Sequence, residues 1–204
     1  MVRNKMRKGY GKVQSTYVSA LVEEMANAGF GHLEESILQC SDCALREGAT
    51  NPVIMKGSRT PRVLFIGEAP GKTEDMTGIP FSGRAGKKLD EMIGYMNLSD
   101  DDYAVINAVK CRPPKNRKPL KGEIEICRPF LMAQIKMLDP QVIILLGNTA
   151  EEAFCRSKKL EWGIPKVSGG ISIVKIYHPA AMIYQRSRIE EQKALIDKNR
   201  HLWE

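Results

Sequence analysis

Four short apolar runs punctuate the chain, and each closes on a glycine or a polar residue. Arg62–Ile66 ends at Gly67, Tyr103–Asn107 ends in a carboxamide, Gln141–Leu146 ends at Gly147, and Ile171–Tyr177 ends at His178. Runs this short, bounded by turn residues, predict strands buried on both faces. Helical spacing fills the intervals. Arg84–Met96 repeats Leu89, Met92, Ile93 and Met96; Lys121–Leu138 repeats Ile124, Ile126, Phe130, Leu131, Ile135 and Leu138. Asn148–Arg156 and Ile189–Asn199 are two further helices, and residues 16–39 form a helical region interrupted by Gly29 and Gly31. Residues 44–61, with Gly48, Pro52, Gly57 and Pro61, read as loop. Strands alternating with helices predict an α/β fold: three layers, α/β/α, around a central four-stranded, mainly parallel sheet. Ligands of such sheets lie beyond the carboxyl ends of the strands. The polar segments that begin at Glu68, Asn107 and His178 all fall there.

A chain of 204 residues suits one domain with a real core. It divides into a basic extension, residues 1–15, and a single domain, residues 16–204. Arg3, Lys5, Arg7, Lys8 and Lys12 stand in the extension with no acid, so it supplies +5 of the net charge of +7. The extension is a solvated tail or an arm that collects phosphates. No apolar run approaches the roughly 20 residues of a membrane span, and none follows the basic N-terminus as a secretory signal requires. A cytoplasmic protein without a membrane partner is expected.

That setting changes how the five cysteines are read. A disulfide framework is not expected. Cys40 and Cys43 form a Cys-x-x-Cys pair, and Cys111 and Cys127 each continue as Cys-Arg-Pro. Four thiolates from scattered loops hold zinc or an iron–sulfur cluster, and spacing alone leaves both open. Cys155 lies within a helical pattern as a small buried hydrophobe.

Three segments carry candidate chemistry. The first runs from Gly67-Glu68-Ala69-Pro70-Gly71 through Glu74 and Asp75 to Pro80-Phe81-Ser82-Gly83-Arg84-Ala85-Gly86. It lacks the Gly-Lys-Ser/Thr of a phosphate-binding loop, and its three acids suit a catalytic carboxylate better than phosphate binding. The second begins at Asn107 and continues through Lys110, Cys111, Arg112, Lys115, Asn116 and Arg117. An Asn at a strand end offers a base edge one donor and one acceptor; it also serves as a plain turn residue. The third is Tyr177-His178-Pro179-Ala180-Ala181.

Taken together, in this order and spacing, these segments resemble the family 4 uracil-DNA glycosylases, the iron–sulfur members of the uracil-DNA glycosylase superfamily. The resemblance runs from about Leu33 to about Ile183. It implies a [4Fe–4S] cluster on Cys40, Cys43, Cys111 and Cys127, in a structural role. It implies that Phe81 stacks on a flipped-out uracil, that Asn107 reads its polar edge against cytosine, and that His178 donates to a uracil carbonyl. Glu74 would be the acid that positions water or stabilises the sugar cation, with Glu68 and Asn116 as supporting polar groups. Ala69 would line the uracil site, at the position where other families of the superfamily carry Asp. Arg112, Lys115 and Arg117 would meet DNA. The Ala180–Arg186 stretch would enter the minor groove, with Arg186 or Arg188 replacing an Arg that the family usually carries where this chain has Met182-Ile183-Tyr184.

The implied function is removal of uracil from single- and double-stranded DNA by a monomer, leaving an abasic site for base excision repair. Breaking an N-glycosidic bond makes a cationic sugar and an anionic base, which a carboxylate and a hydrogen-bond donor respectively stabilise. Two other readings stay open. One is a catalytically weak or covalent-capture DNA-binding member of the superfamily. The other is a zinc-stabilised nucleic-acid-binding domain.

Overall fold

The computed structural model describes residues 13–156 and 159–204. The basic residues at 3–12 lie outside them. Three helices open the fold: α1 (Val13–Ala28), α2 (Phe30–Leu38) and α3 (Ala44–Gly48). The break expected near Gly29 and Gly31 falls at Gly29, whose φ of 89° suits glycine, while Gly31 continues inside α2. The remaining elements are β1 (Lys56–Gly57), β2 (Val63–Gly67), α4 (Lys72–Thr77), α5 (Arg84–Tyr95), β3 (Tyr103–Asn107) and α6 (Lys121–Leu138). They continue as β4 (Val142–Leu146), α7 (Asn148–Cys155), β5 (Lys166–Ser168), β6 (Ile171–Ile176), α8 (Ala181–Tyr184) and α9 (Ser187–Lys198).

The sheet has six strands in the order β1-β3-β2-β4-β6-β5. Its centre, β3-β2-β4-β6, is the expected parallel four, in register Gly67 opposite Asn107 and Leu146 opposite Ile176. The expected strand count is corrected at the edges. β1 and β5 are short and antiparallel to their neighbours. Lys56-Gly57 and Lys166–Ser168 carry no run of apolar residues, because an edge strand needs no two-sided burial.

Alternate residues of each central strand feed opposite layers. Leu64, Ile66, Ile106, Ile143 and Leu145 pack beneath Ile124, Leu131 and Ile135 of α6 and Ala150 and Ala153 of α7. Phe65, Val105, Ile144, Leu146 and Val174 face Leu89, Met92 and Ile93 of α5, with Ile196 of α9 and Trp203. The two layers are the expected α/β/α sandwich. A third cluster, Met25, Leu33, Ile37 and Ala133, holds α1 and α2 to the outer side of α6. The carboxyl ends of β2, β3, β4 and β6 therefore share one rim of a rigid sheet.

Candidate active site

Gly67 and Asn107 end neighbouring strands opposite one another. Gly67 has to be small. A Cβ built there would stand 2.5 Å from Asn107 Oδ1 and 2.6 and 2.7 Å from Cε2 and Cζ of Phe81. The carboxamide and the phenyl ring thus meet over one glycine. The Phe81 and His178 rings lie 5.7 Å apart between centroids at 32°. Asn107 and His178, from the ends of two strands, and Phe81, from the turn between α4 and α5, are therefore gathered at one point of the rim. Asn107 is 2% exposed, and its Oδ1 has no hydrogen-bond partner among the described residues. A buried acceptor without a donor is costly in a finished core and suits a site that awaits a ligand N–H.

The Phe81 turn is held from two sides. Phe81 adopts φ 53°, a left-handed conformation uncommon for a bulky side chain. A Cβ on Gly86 would fall 1.6 Å from the Phe81 carbonyl oxygen, so glycine is required where this turn folds back on α5. On the other side, Glu74 accepts N–H bonds at both carboxylate oxygens, from Gly71 at 3.0 Å and from Gly83 at 2.9 Å. The first closes the N-terminus of α4 as a capping box does; the second ties down the residue before α5. The carboxylate expected to act on water is thus engaged with backbone.

Glu68 has a different environment. Its Oε2 accepts from the Thr149 hydroxyl at 2.5 Å, and its Oε1 has no hydrogen-bond partner among the described residues. Ala69, next in the chain, is partly buried against the core.

His178 Nδ1 accepts the backbone N–H of Ala180 at 3.2 Å. That bond assigns the imidazole proton to Nε2. Packing around the ring pushes its pKa down to about 4 by desolvation. A neutral imidazole with Nε2–H outward is a donor throughout the neutral range. Tyr177, just before it, is pinned by Gln192, whose Oε1 accepts from Tyr177 N at 3.0 Å and whose Nε2 donates to Tyr177 O at 3.2 Å.

Cys40, Cys43, Cys111 and Cys127 line one cavity with Ile37, Leu45, Val109 and Phe130; Cys155 is not among its walls. Among the described residues no three His, Cys, Asp or Glu side chains converge on a single-ion point. The four thiols ring a space. Burial pushes the Cys111 thiol up to about 12 and the Cys127 thiol up to about 11, and neighbouring thiols add to the rise in both. Clustered buried thiols that resist ionisation call for a cationic group among them, and an apolar shell with four sulfur donors suits a soft-metal centre. Lys110 is buried beside them. Its backbone N–H donates to Cys127 Sγ at 3.3 Å, and desolvation draws its ammonium pKa down to about 8.

Known proteins share this arrangement of segments. The sequence profile of the Uracil DNA glycosylase superfamily matches residues 54–202. A type-4 uracil-DNA glycosylase of Thermotoga maritima is 37% identical over 182 residues, covering 81% of this chain and 94% of that protein. Another, of Pyrobaculum aerophilum, is 38% identical over 175 residues, covering 80% and 89%. This chain belongs to the type-4 uracil-DNA glycosylases. A type-5 uracil-DNA glycosylase of Pyrobaculum aerophilum is more distant, at 27% over 158 residues, covering 68% of this chain and 70% of that protein.

Within this type-4 chain, the remaining residues singled out from the sequence fall into two groups. Lys115 and Arg186 are exposed at the rim. Asn116 is also exposed, and its Oδ1 accepts from Arg112 Nε at 2.7 Å. That bond links it to Arg112 within the loop after β3. Arg117 is a bidentate partner of Glu123, at 2.8 and 2.6 Å. Arg188 lies over the Tyr177 ring at 4.5 Å and pairs with Glu191, which leaves Arg186 the outward guanidinium of that segment. Thr149, Gln192 and Lys110 were not singled out as site residues. Thr149 and Gln192 read as ordinary helix polar residues, and only tertiary contact reveals their partners. Lys110 had a sequence signal, its place between Asn107 and Cys111.

Proposed function

We propose that this chain removes uracil from DNA by hydrolysing its N-glycosidic bond, leaving an abasic site for repair. The observation that carries the reading is the meeting of Asn107 Oδ1 and the Phe81 ring over Gly67, with the His178 ring beside them. A planar base that offers an N–H between two carbonyls fits that trio. The unpartnered Oδ1 accepts N3–H of uracil. Cytosine has no hydrogen at N3 and places its amine where uracil has a carbonyl, so it leaves the acceptor unsatisfied. Phe81 supplies the stacking surface, which helps offset the few kcal/mol of extruding a base.

In the reaction, the bond between N1 of uracil and C1′ of the sugar breaks, and its electron pair leaves with the base. His178 Nε2–H donates to the uracil carbonyl that takes up this charge. One such donor is worth about 3 kcal/mol in the transition state. Water adds its oxygen to C1′, and its proton passes to a carboxylate. Glu68 is the better placed acid, since among the described residues one of its oxygens has no donor while both of Glu74 are engaged. Glu74 then serves by fixing the Phe81 turn.

Cys40, Cys43, Cys111 and Cys127 would hold a [4Fe–4S] cluster. When bound, it supplies cross-links between the α2–α3 segment, the loop after β3 and α6; hydrolysis requires no electron from it. Lys115, Arg112 and Arg186 meet backbone phosphates of single- or double-stranded DNA, and one chain suffices for the site. Among the described residues no helix is long and apolar enough to cross a membrane, and a DNA substrate puts the work inside the cell.

The test is cleavage of a uracil-containing oligonucleotide by coloured, metal-loaded protein. Strand scission is expected only after alkali. An intact oligonucleotide across a range of salt overturns the reading, and a covalent protein–DNA band would point instead to capture of the abasic sugar.

A further inference from the structure

We infer that Thr149 is a positioning residue for the reaction, fixing the Glu68 carboxylate through its hydroxyl and making the β4–α7 turn a further wall of the site. The inference rests on the water-activating role proposed above for Glu68. Thr149 is 2% exposed and sits at the start of α7, where a Thr hydroxyl ordinarily turns to local backbone. Here it donates at 2.5 Å to Glu68 Oε2, a partner 81 residues away in sequence. A hydroxyl has one proton to give, so one carboxylate oxygen is anchored and the other is left for water. A β-branched side chain has few χ1 rotamers, which narrows the positions the anchor takes.

A second contact brings the same turn against His178. Gly147, the residue that follows β4, has φ 89°, and a Cβ built on it would lie 3.3 Å from His178 Cβ. Gly147 also donates its N–H to the carbonyl of Ile176 at 2.9 Å, at the end of the strand that carries His178. The segment Gly147-Asn148-Thr149 therefore backs both the carboxylate and the imidazole, the two groups that act on opposite charges of the transition state.

The experiment is a double-mutant cycle on uracil excision by the cluster-loaded protein, with Thr149→Val, Glu68→Gln and both together, and with Thr149→Ser as the conservative variant. Thr149→Val is expected to lower kcat about tenfold or more, with KM within about twofold, and Thr149→Ser to restore most of it. In the Glu68→Gln background Thr149→Val is expected to cost nothing further, since it acts only through that carboxylate. An equal loss in both backgrounds, or a Ser variant as impaired as Val, overturns the positioning role and leaves Thr149 a packing residue. Should Thr149→Val fail to fold, Thr149→Ala enters the same cycle and Thr149→Ser is judged alone against wild type. If Glu68→Gln itself turns over normally, the role of Glu68 falls, an outcome distinct from additivity at Thr149.

Discussion

Lys110 Nζ donates to the carbonyl oxygen of Asn107 at 2.5 Å, and the backbone N–H of Lys110 donates to Cys127 Sγ at 3.3 Å. One buried residue thus ties the strand end that presents the Asn107 carboxamide to the cysteine site. Replacing it with Met removes the ammonium that faces the sulfur cage and leaves the Asn107 carbonyl without its donor. Lys110→Met is expected to shorten the life of the metal centre's visible absorbance under chelator and to lower uracil turnover severalfold. Cys155→Ser, outside the cage, is expected to leave that absorbance unchanged. Equal bleaching of wild type and Lys110→Met would remove the link.

His178 is neutral in the folded chain at neutral pH, so its protonation has a calculable cost. Its pKa of about 4 in the folded chain lies below about 6.5 in the unfolded one. Between these values the unfolded chain binds more protons, so stability rises with pH and is lost as pH falls from about 6.5 to about 4. The loss is at most about 3 kcal/mol, because the ring keeps some contact with solvent. Urea unfolding across that window is expected to show this dependence in wild type and to lack it in His178→Gln. Turnover by His178→Ala is expected to fall about a hundredfold or more.

The buried Oδ1 of Asn107 lacks a hydrogen-bond partner among the described residues. Removing its unpartnered buried oxygen with the near-isosteric Asn107→Leu is expected to leave the melting temperature unchanged or raise it, by about 1 kcal/mol of stability. Uracil excision is expected to fall sharply in the same protein. A variant that is both destabilised and active would show that the carboxamide serves the core instead.

The basic loop after β3 separates residues that the sequence alone treats alike. Lys115 is exposed, whereas Arg117 is bound by Glu123, a pairing that holds the Glu123 carboxyl below the usual carboxylate range. Lys115→Ala is expected to reduce the slope of log affinity for DNA against log salt by about 1. Arg117→Ala is expected to leave that slope unchanged and to cost stability, since Glu123 also accepts the Leu120 N–H at the start of α6. Titrations at several salt concentrations, with thermal melts, distinguish the two.

These contrasts show what a single sequence carries. The helix Lys121–Leu138 was legible to the residue, since its apolar spacing runs unbroken even through Pro129. The four central strands were legible because burial on both faces leaves apolar runs, and their polar exits located the rim. The edge strands were not, since Lys56-Gly57 and Lys166–Ser168 pair by backbone alone. Within the site, residues that end strands or sit in glycine-rich turns announced themselves, as Asn107, His178 and Phe81 did. Thr149 did not, because its partner is 81 residues distant, and the engagement of Glu74 by Gly71 and Gly83 lies in backbone geometry that no residue type encodes.

An experimental structure of the protein with free uracil tests whether Phe81, Asn107 and His178 hold one extruded pyrimidine. The ring is expected to stack on Phe81, with N3–H directed to Asn107 Oδ1 and a carbonyl oxygen within hydrogen-bond reach of His178 Nε2. Uracil bound elsewhere, or seated there without touching Asn107 and His178, would contradict it.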